Sequence, residues 1–460
     1  MTGTTKPLSI SVIGCGYLGT VHAVAMAALG HDVVGIDIDA DRISLLAAGQ
    51  APFFEPGLPE RLEAGLGSGR LRFSTDIADA ATADLHFVCV GTPQAADGDA
   101  ADLTAIFAAT EALLPHLRAG SVIAGKSTVP VGTAARIAER LEPTGATLVW
   151  NPEFLREGRA VADSLSPDRI VIGVAGGGTE PGDRAPGAAI GPAANGATEA
   201  AVGMLRSAYA RMLELGTPLV VTDLATAELV KGAANAYLAT RISFMNAMAD
   251  VAERAGADIS GLAEALGHDE RIGPHYLRAG IGFGGGCLPK DIRAFAARAT
   301  ELGAASPAAL LATVDSINLG QRSGLVAAIA AHFGGDVAGR RIAVLGAAFK
   351  PESDDIRDSP AIDIALELHR RGAVVTLTDP AALPNVASRY PELSLTHGLA
   401  DTLRDAECVV VATEWPEYRE IDPAVAAELV AERTVFDGRN CLDRASWSAA
   451  GWLYRGIGRR

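Results

Sequence analysis

The sequence predicts an α/β protein: two doubly wound domains flanking a central helical domain, joined by a long helix. Three observations carry this. Short apolar runs alternate with helical stretches in the first and last thirds of the chain, the pattern of parallel sheets covered by helices. The first run opens into a helix through Gly14-Cys15-Gly16-Tyr17-Leu18-Gly19, a strand-turn-helix arrangement. Between the two thirds, residues 224–254 form one helical pattern with no Pro and no Gly besides Gly232.

Residues 8–13 are the first strand, and the helix after the glycines runs to Leu29, where Gly30 stops it. Residues 31–37 are the second strand, ending in Asp37. A further strand over 85–90 leads into Gly91-Thr92-Pro93, and later strands are expected at 121–124 and 147–150. Residues 176–198 are rich in Gly, Ala and Pro without a period, and predict a flexible surface excursion. Thr222 or Asp223 is placed to cap the long helix. Its apolar residues Leu229, Leu238, Ile242, Met245 and Met248 exceed what one side of a small domain needs, which predicts a dimer. The last third echoes the first: a strand at 341–345 ending at Gly346, a helix from Pro360 to 371, a strand at 374–379 ending in Asp379, and a strand at 408–412. The chain of 460 residues suits about three domains, with boundaries expected at 1–222, 223–330 and 331–460.

The net charge of −16 argues against a nucleic-acid or anionic-membrane surface. An anionic ligand must therefore meet a local cluster of cations. Cys15, Cys89, Cys287, Cys408 and Cys441 fit neither a disulfide framework nor zinc spacing, which predicts a reducing cytoplasm and no metal. No signal peptide and no apolar run of ~20 residues is evident. Lysine is scarce: Lys6, Lys126, Lys231, Lys290 and Lys350 stand against 34 arginines. Where a bare positive charge suffices this sequence uses Arg, so a retained Lys marks a place that needs an amine.

Three motifs carry chemistry. In the glycine turn, Gly14 permits the tight bend, Gly16 lets the backbone approach a pyrophosphate, and Gly19 lets helix and strand pack closely. The helix N-terminus offers N–H groups to phosphate. Asp37 suits a ribose diol and repels a 2′-phosphate, favouring NAD over NADP. Arg42 lies near enough to stack on adenine or bridge the ribose, and an arginine there can also receive a 2′-phosphate, which bears against NAD alone. The alternative is a glycine-rich turn that binds nothing. In the second motif, Gly282-Phe283-Gly284-Gly285-Gly286 precedes Cys287, Leu288, Pro289, Lys290 and Asp291. Pro289 suits a first helical turn. Cys287 then sits at a helix entrance, where the dipole and Lys290 favour thiolate, as a nucleophile requires. The glycines are expected to let this loop approach a ligand and change shape. The alternative is a small buried hydrophobe, the reading given to Cys15, Cys89 and Cys408. In the third motif, Lys231 and Asn235 share one face of the long helix among apolar neighbours, which suggests a polar site in a protected crevice and not a solvated face.

Together these residues resemble the UDP-glucose/GDP-mannose dehydrogenase family over nearly the whole chain. The markers are GCGYLG at 14–19, VGTP at 90–93, KSTVPVGT at 126–133, NPEFLREG at 151–158 and ELVKGAANAYLATRISFMN at 228–246. They continue with HDERIG at 268–273, GFGGGCLPKD at 282–291, FKPESDDIRDSP at 349–360 and DGRN at 437–440. The 176–198 excursion departs from the family by its length and falls between motifs.

The resemblance implies an N-terminal NAD-binding Rossmann domain, a central dimerisation and catalytic domain, and a C-terminal Rossmann-like domain for the UDP-sugar. It implies a four-electron oxidation of a nucleotide sugar, UDP-glucose, with two NAD per acid. Cys287 would add to the aldehyde as thiolate, giving a thiohemiacetal and then a thioester. Lys231 and Asn235 would stabilise oxyanions. Asp291 would position a water or relay a proton with Lys231, with Thr128 helping to hold that water. Glu153 would be the base for thioester hydrolysis. Gly14, Gly16, Gly19, Asp37, Arg42, Thr92, Thr128, Glu157, Lys290 and Arg357 would serve the cofactor. Glu153, Phe154, Leu155, Glu157, Lys231, Asn235, Arg271, Tyr276, Gly284, Lys350 and Arg439 would serve the substrate. Arg271 would reach into a neighbouring subunit of a homodimer or higher homo-oligomer. Rival readings stay open: the same reaction on GDP-mannose or a UDP-N-acetylhexosamine, a one-step hydroxyacid dehydrogenase, or a non-catalytic nucleotide sensor. The last would be expected to have lost Cys287 or Lys231, and neither is lost.

Overall fold

The structure is a computed structural model that describes residues 6–176 and 196–459. Residues 177–195, the body of the predicted excursion, lie outside the described residues. Gly196–Ala208 is already helix. Its buried Thr198, Ala201, Leu205 and Ala208 recur at helical spacing, so the irregular stretch ends before residue 198. The chain divides into two compact units, residues 1–234 and 235–460.

The first unit holds β1 (Ser9–Ile13), β2 (Asp32–Ile36), β3 (Leu71–Ser74), β4 (Leu85–Val88), β5 (Val122–Gly125), β6 (Thr147–Trp150), β7 (Ile170–Val174) and β8 (Leu219–Asp223). Their order is β3-β2-β1-β4-β5-β6-β7-β8. The first six strands pair in parallel in the doubly wound order, whose switch point between β1 and β4 opens a ligand crevice at their carboxyl ends. The sequence predicted a parallel sheet; β7 runs antiparallel to β6, and β8 parallel to β7, so the sheet is mixed at that edge. Apolar cores lie on both faces, so β1 and β4 are buried on both sides and largely apolar; the polar exceptions inside, Ser11 and His86, are hydrogen-bonded to each other at 2.8 Å. β4 ends at Val88, two residues earlier than predicted: the Ser127 hydroxyl takes the Val90 carbonyl at 2.7 Å and draws the chain off the sheet.

The long helix spans Leu224–Ala255. Asp223 caps it, its carboxylate accepting the Thr226 N–H and hydroxyl, both at 2.7 Å. Its first turns pack on the outer strands, where a side chain at Gly173 would come within 2.4 Å of Ala227. Glu228, 3% exposed, accepts the N–H groups of Gly132 and Ala134 at 2.8 and 2.6 Å. It thereby holds the entrance of the helix Thr133–Leu141.

The second unit contains the rest of that helix, the helices Ile259–Gly267, Leu288–Glu301 and Ala305–His332, and a second sheet. Its strands are β9 (Arg341–Leu345), β10 (Val374–Thr378), β11 (Ser394–Leu395), β12 (Cys408–Val411), β13 (Thr434–Asp437) and β14 (Leu453–Gly456). Their order is β11-β10-β9-β12-β13-β14, parallel throughout. This is the order of β3 to β6 in the first unit, so the echo seen in the sequence is a repeated topology. The acids that end the two second strands have diverged. Asp379 is filled by five donors, the N–H groups of Ala347, Ala348, Ala381 and Ala382 and the Trp415 indole. It locks the turn after β9 and has no capacity left for a ribose. Burial of Val409, Val410 and Val411 at 0% exposure contributes about 1.5–3 kcal/mol per side chain.

Candidate active site

The glycine turn fits a dinucleotide. Gly14 has φ +90°, and a side chain there would lie 2.8 Å from Val90; one at Gly19 would lie 1.7 Å from the Gly14 carbonyl oxygen. A side chain at Gly16 would meet nothing within 4 Å, so the helix entrance is open on the face a pyrophosphate needs. Asp37 is 9% exposed. Its Oδ2 accepts the Cys15 N–H at 2.7 Å and Arg42 Nη1 at 3.1 Å, and its Oδ1 accepts the Asp39 N–H at 3.0 Å. Arg42 also pairs with Asp39 at 3.1 Å. Two carboxylates therefore answer its charge, which disfavours a 2′-phosphate. Thr92 is buried and donates its hydroxyl to the Thr128 carbonyl at 2.6 Å.

The segment 151–158 follows β6 and is tied at both ends. At its far end Gly158 N–H donates to Glu55 at 2.7 Å, and the Tyr17 hydroxyl donates to the same carboxylate. Burial first, then the bond to Glu55 and the charges of Glu55 and Glu157, push the Tyr17 phenol up. Within the segment, Glu153 Oε2 accepts the Leu155 N–H at 2.6 Å. Glu153 Oε1 pairs with Lys231 Nζ at 2.9 Å, the two side chains 12% and 6% exposed. Phe154 lies beneath two cations, Lys231 at 5.9 Å and Arg169 at 3.7 Å from the ring centroid. The protected amine predicted on the long helix is therefore found, and it faces the proposed base.

In the second unit Cys287 is the N-cap residue of the helix Leu288–Glu301, with Pro289 in the first turn. It is exposed, whereas Cys15, Cys89 and Cys408 are buried. Burial pushes the Cys89 thiol up to about 12 and the Cys15 and Cys408 thiols up as well, so these three are poor nucleophiles. Asp291 is 5% exposed. It accepts the Asn235 amide at 2.7 Å on one oxygen and Lys290 Nζ at 2.7 Å on the other. The charge of Lys290 is thus directed at Asp291 first.

The loop before Cys287 is clasped, contrary to the expectation that its glycines let it change shape. Gly280 N–H donates to Asn246 at 2.9 Å, and Ile281 N–H to the Gly438 carbonyl at 2.8 Å. The Gly282 carbonyl accepts Arg439 Nη1 at 2.7 Å. Asn318 binds both the N–H and the carbonyl of Phe283, at 2.7 and 3.0 Å. Gly285 N–H donates to the Arg357 carbonyl at 2.9 Å. A side chain at Gly284 would lie 2.3 Å from the Asp358 carbonyl oxygen, and one at Gly286 2.3 Å from the Arg357 guanidinium. These glycines are required by close approach of the protein to itself.

Other predicted residues have equally definite surroundings. Arg439, 11% exposed, gives N–H groups to the carbonyls of Ala412, Gly282 and Phe349 at 2.7, 2.7 and 3.2 Å; burial lowers its guanidinium below the usual value. Arg357 is paired with Asp355 at 2.7 Å. Lys350 lies 5.6 Å from the Phe349 ring centroid. Tyr276 holds a left-handed φ of 60°, a strained state for an aromatic residue. Arg271 is 88% exposed and chelated by Asp269 at 3.0 and 2.6 Å.

Several participants escaped the sequence reading. Glu55 and Glu228 are buried acids that organise backbone. Asn318 and Arg322 clasp the Phe283 carbonyl, both at 3.0 Å. Lys126 donates to Asn151 Oδ1 at 3.0 Å, and burial lowers its amine to about 8. Lysine scarcity and its place at the head of the KSTVPVGT marker pointed at Lys126 without giving it a role. Among the described residues no group of three or more His, Cys, Asp or Glu side chains is placed to hold a metal, and no helix is long and apolar enough to cross a membrane.

Residues 8–181, 225–319 and 343–444 match the NAD binding, central and UDP binding domains of the UDP-glucose/GDP-mannose dehydrogenase family. The UDP-glucose 6-dehydrogenase of Rhizobium meliloti is 37% identical, over 98% of this chain and 100% of its own length. That of Pseudomonas aeruginosa is 36% identical, over 98% of each. Among solved structures, a UDP-glucose dehydrogenase from the hyperthermophilic archaeon Pyrobaculum islandicum superposes with a TM-score of 0.87 at 36% identity, over 100% of both chains. A UDP-D-ManNAc dehydrogenase from Pyrococcus horikoshii gives 0.82 at 25% identity, over 98% of this chain and 99% of that one.

Proposed function

The chain belongs to the UDP-glucose/GDP-mannose dehydrogenase family, and from that premise we propose that it oxidises UDP-glucose to UDP-glucuronate with two NAD, through a covalent intermediate on Cys287. The observation that carries the covalent step is the exposed thiol at a helix entrance, on a loop whose peptides are held on both sides of the chain. NAD, when bound, accepts a hydride at each of the two oxidations. Gly14, Gly16 and Gly19 shape the turn that would receive its pyrophosphate, and Asp37 would accept its ribose hydroxyls. Lys231 answers the oxyanion that develops at C6 as the alcohol and then the thiohemiacetal lose hydride. The helix entrance favours the Cys287 thiolate that adds to the aldehyde. Asn235 donates to Asp291 and fixes its carboxylate. Glu153 takes a proton from water as it attacks the thioester, and the Cys287 thiolate leaves.

The UDP binding domain and the names of the relatives support the sugar nucleotide. Initial rates with UDP-glucose, GDP-mannose and UDP-N-acetylglucosamine, followed as NADH absorbance, test it. We expect UDP-glucose to lead in kcat/KM by ~10²-fold, the scale set by polar groups left unpaired in a mismatched pocket. A lead for GDP-mannose would overturn the base assignment. Absence of a second oxidation on any of them would favour the one-step reading. The exposed Cys287 also suits a reducing cytoplasm, which we take as the compartment.

The proposal includes a homodimer. Of the residues first named for it, Leu229 is 41% exposed, but Met245 is 0% exposed, and Ile242 and Met248 pack into their own unit. Tyr237, Phe244 and Val251 are instead 63, 51 and 55% exposed, at seven-residue spacing along the helix. Such a stripe is a helix-pairing seam. Phe244→Asp is expected to shift the sedimenting species to half the wild-type mass without lowering the thermal midpoint at low concentration. A mass that does not change would remove the long helix from the interface.

A further inference from the structure

Lys126 is a buried cation that the reaction as described leaves unused. Its side chain is 6% exposed. Nζ donates to Asn151 Oδ1 at 3.0 Å and lies 3.4 Å from both the Asn151 carbonyl and the Tyr209 hydroxyl. Tyr209 in turn donates to Asn151 Oδ1 at 2.6 Å, and the Asn151 amide donates to the Val171 carbonyl at 2.8 Å. Phe87 and Tyr209 present their rings at 5.7 and 6.0 Å. No carboxylate pairs with Lys126 among the described residues. An ammonium buried this way is costly. A methionine would fill the same space at no such cost, so packing alone does not account for the amine.

Its neighbourhood accounts for it better. Asn151 stands two positions before Glu153. Lys126, Asn151 and Glu153 line one small cavity of about 50 Å³ in the first unit, together with His22 and Ser164. The buried His22 Nε2 and Ser164 Oγ have no hydrogen-bond partner among the described residues, so the cavity is polar as well as buried. Of the ionisable groups that face Lys126, Glu153 favours its charge and Lys231 opposes it, while burial keeps the Cys89 thiol and the His22 imidazole neutral near pH 8. The phenol of Tyr209 is pushed up by burial and stays neutral. Of the other charged residues lining the cavity, Asp163 is paired with Arg156 at 2.6 Å, Arg169 is stacked on Phe154 at 3.7 Å, and Asp168 is exposed to solvent. Glu153 is thus the acid in a field of two lysines: Lys231 in contact, Lys126 behind.

We propose that Lys126 is a positioning residue for Glu153: seated on Asn151, it fixes the turn that carries Glu153 and supplies a second positive charge behind that carboxylate, acting at release of the acid. This rests on Glu153 being the base of thioester hydrolysis. When Lys231 turns to an oxyanion, Lys126 remains as counter-charge, so Glu153 stays set to take a proton from water. The amine titrates near pH 8 because burial lowers it. It is charged below that pH and neutral above, so its support is present at neutral pH and lost as pH rises through about 8.

The test is a single turnover of the full chain with UDP-glucose and NAD, quenched and weighed as intact protein, so that acyl-Cys287 is seen directly. Lys126→Gln keeps a hydrogen-bonding group and removes the charge. It should slow decay of the acyl-enzyme by about tenfold or more, a typical share of general-base catalysis, and leave both oxidations within about threefold. Lys126→Arg keeps the charge beyond pH 12. Its decay rate relative to wild type should rise as pH passes 8. If Lys126→Gln does not fold, Lys126→Met takes its place with the same readout. Glu153→Gln separates the two levels of the argument. If it traps acyl-enzyme and the neutral Lys126 variants do not, the inference is overturned and the base assignment stands. If it traps none, the base assignment falls and the inference with it. A ratio of Lys126→Arg to wild type that stays flat across pH 8 would also overturn the inference.

Discussion

Cys287→Ala is expected to abolish acid formation, by ~10³-fold or more, while leaving the fold intact. The thiol sits exposed on the N-cap residue of its helix, so its loss removes no core packing, and stability should hold within about 0.5 kcal/mol. The loop behind it is fixed by Asn246, Asn318, Arg439 and backbone bonds, none of which involves the sulfur. The variant keeps the cofactor turn and Lys231, so the first oxidation remains possible, and an aldehyde or its hydrate should be detectable. Near-normal acid formation, measured by chromatography of the product, would make Cys287 a structural residue.

Lys231→Met is the second large effect. Loss of a preorganised cation at the developing oxyanion should lower kcat by ~10²–10³-fold. Stability should fall as well, because Glu153, 12% exposed, loses its 2.9 Å partner. Leaving a buried carboxylate uncompensated costs up to about 3–5 kcal/mol, with Lys126 as a partial counter-charge. Lys231→Met with Glu153→Gln removes both charges, so the double variant should recover most of the stability and none of the activity. Urea midpoints for the four members of this cycle check the first claim, and kcat the second. A double variant no more stable than Lys231→Met alone would mean that the pair contributes little in the folded chain.

What the sequence revealed was local. The glycine turn, Asp37 ending the second strand, the cap on the long helix and Cys287 at a helix entrance each depend on residues within a few positions of one another. Spacing therefore carried them. The missing features depend on segments far apart in the chain. Glu153 meets Lys231, Lys126 meets Asn151, and Asn318 grips Phe283 only because the fold brings them together. The reversal at β7 depends on which way a long connection turns, and no periodicity encodes that. The glycines at 284 and 286 suggested mobility because glycine permits it, but here the Asp358 carbonyl and the Arg357 guanidinium occupy the space where a side chain would stand. The long helix was legible as a helix. The residues first chosen for its proposed seam include buried ones because apolar residues occur on both its covered and its open face, and only burial distinguishes Met245 from Phe244.

The covalent, four-electron account is tested most directly by counting. Wild-type enzyme with limiting UDP-glucose and excess NAD should yield two NADH for each acid formed, and iodoacetamide at Cys287 should reduce both yields unless substrate is present. One NADH per product, or acid formation that survives alkylation of Cys287, would contradict it.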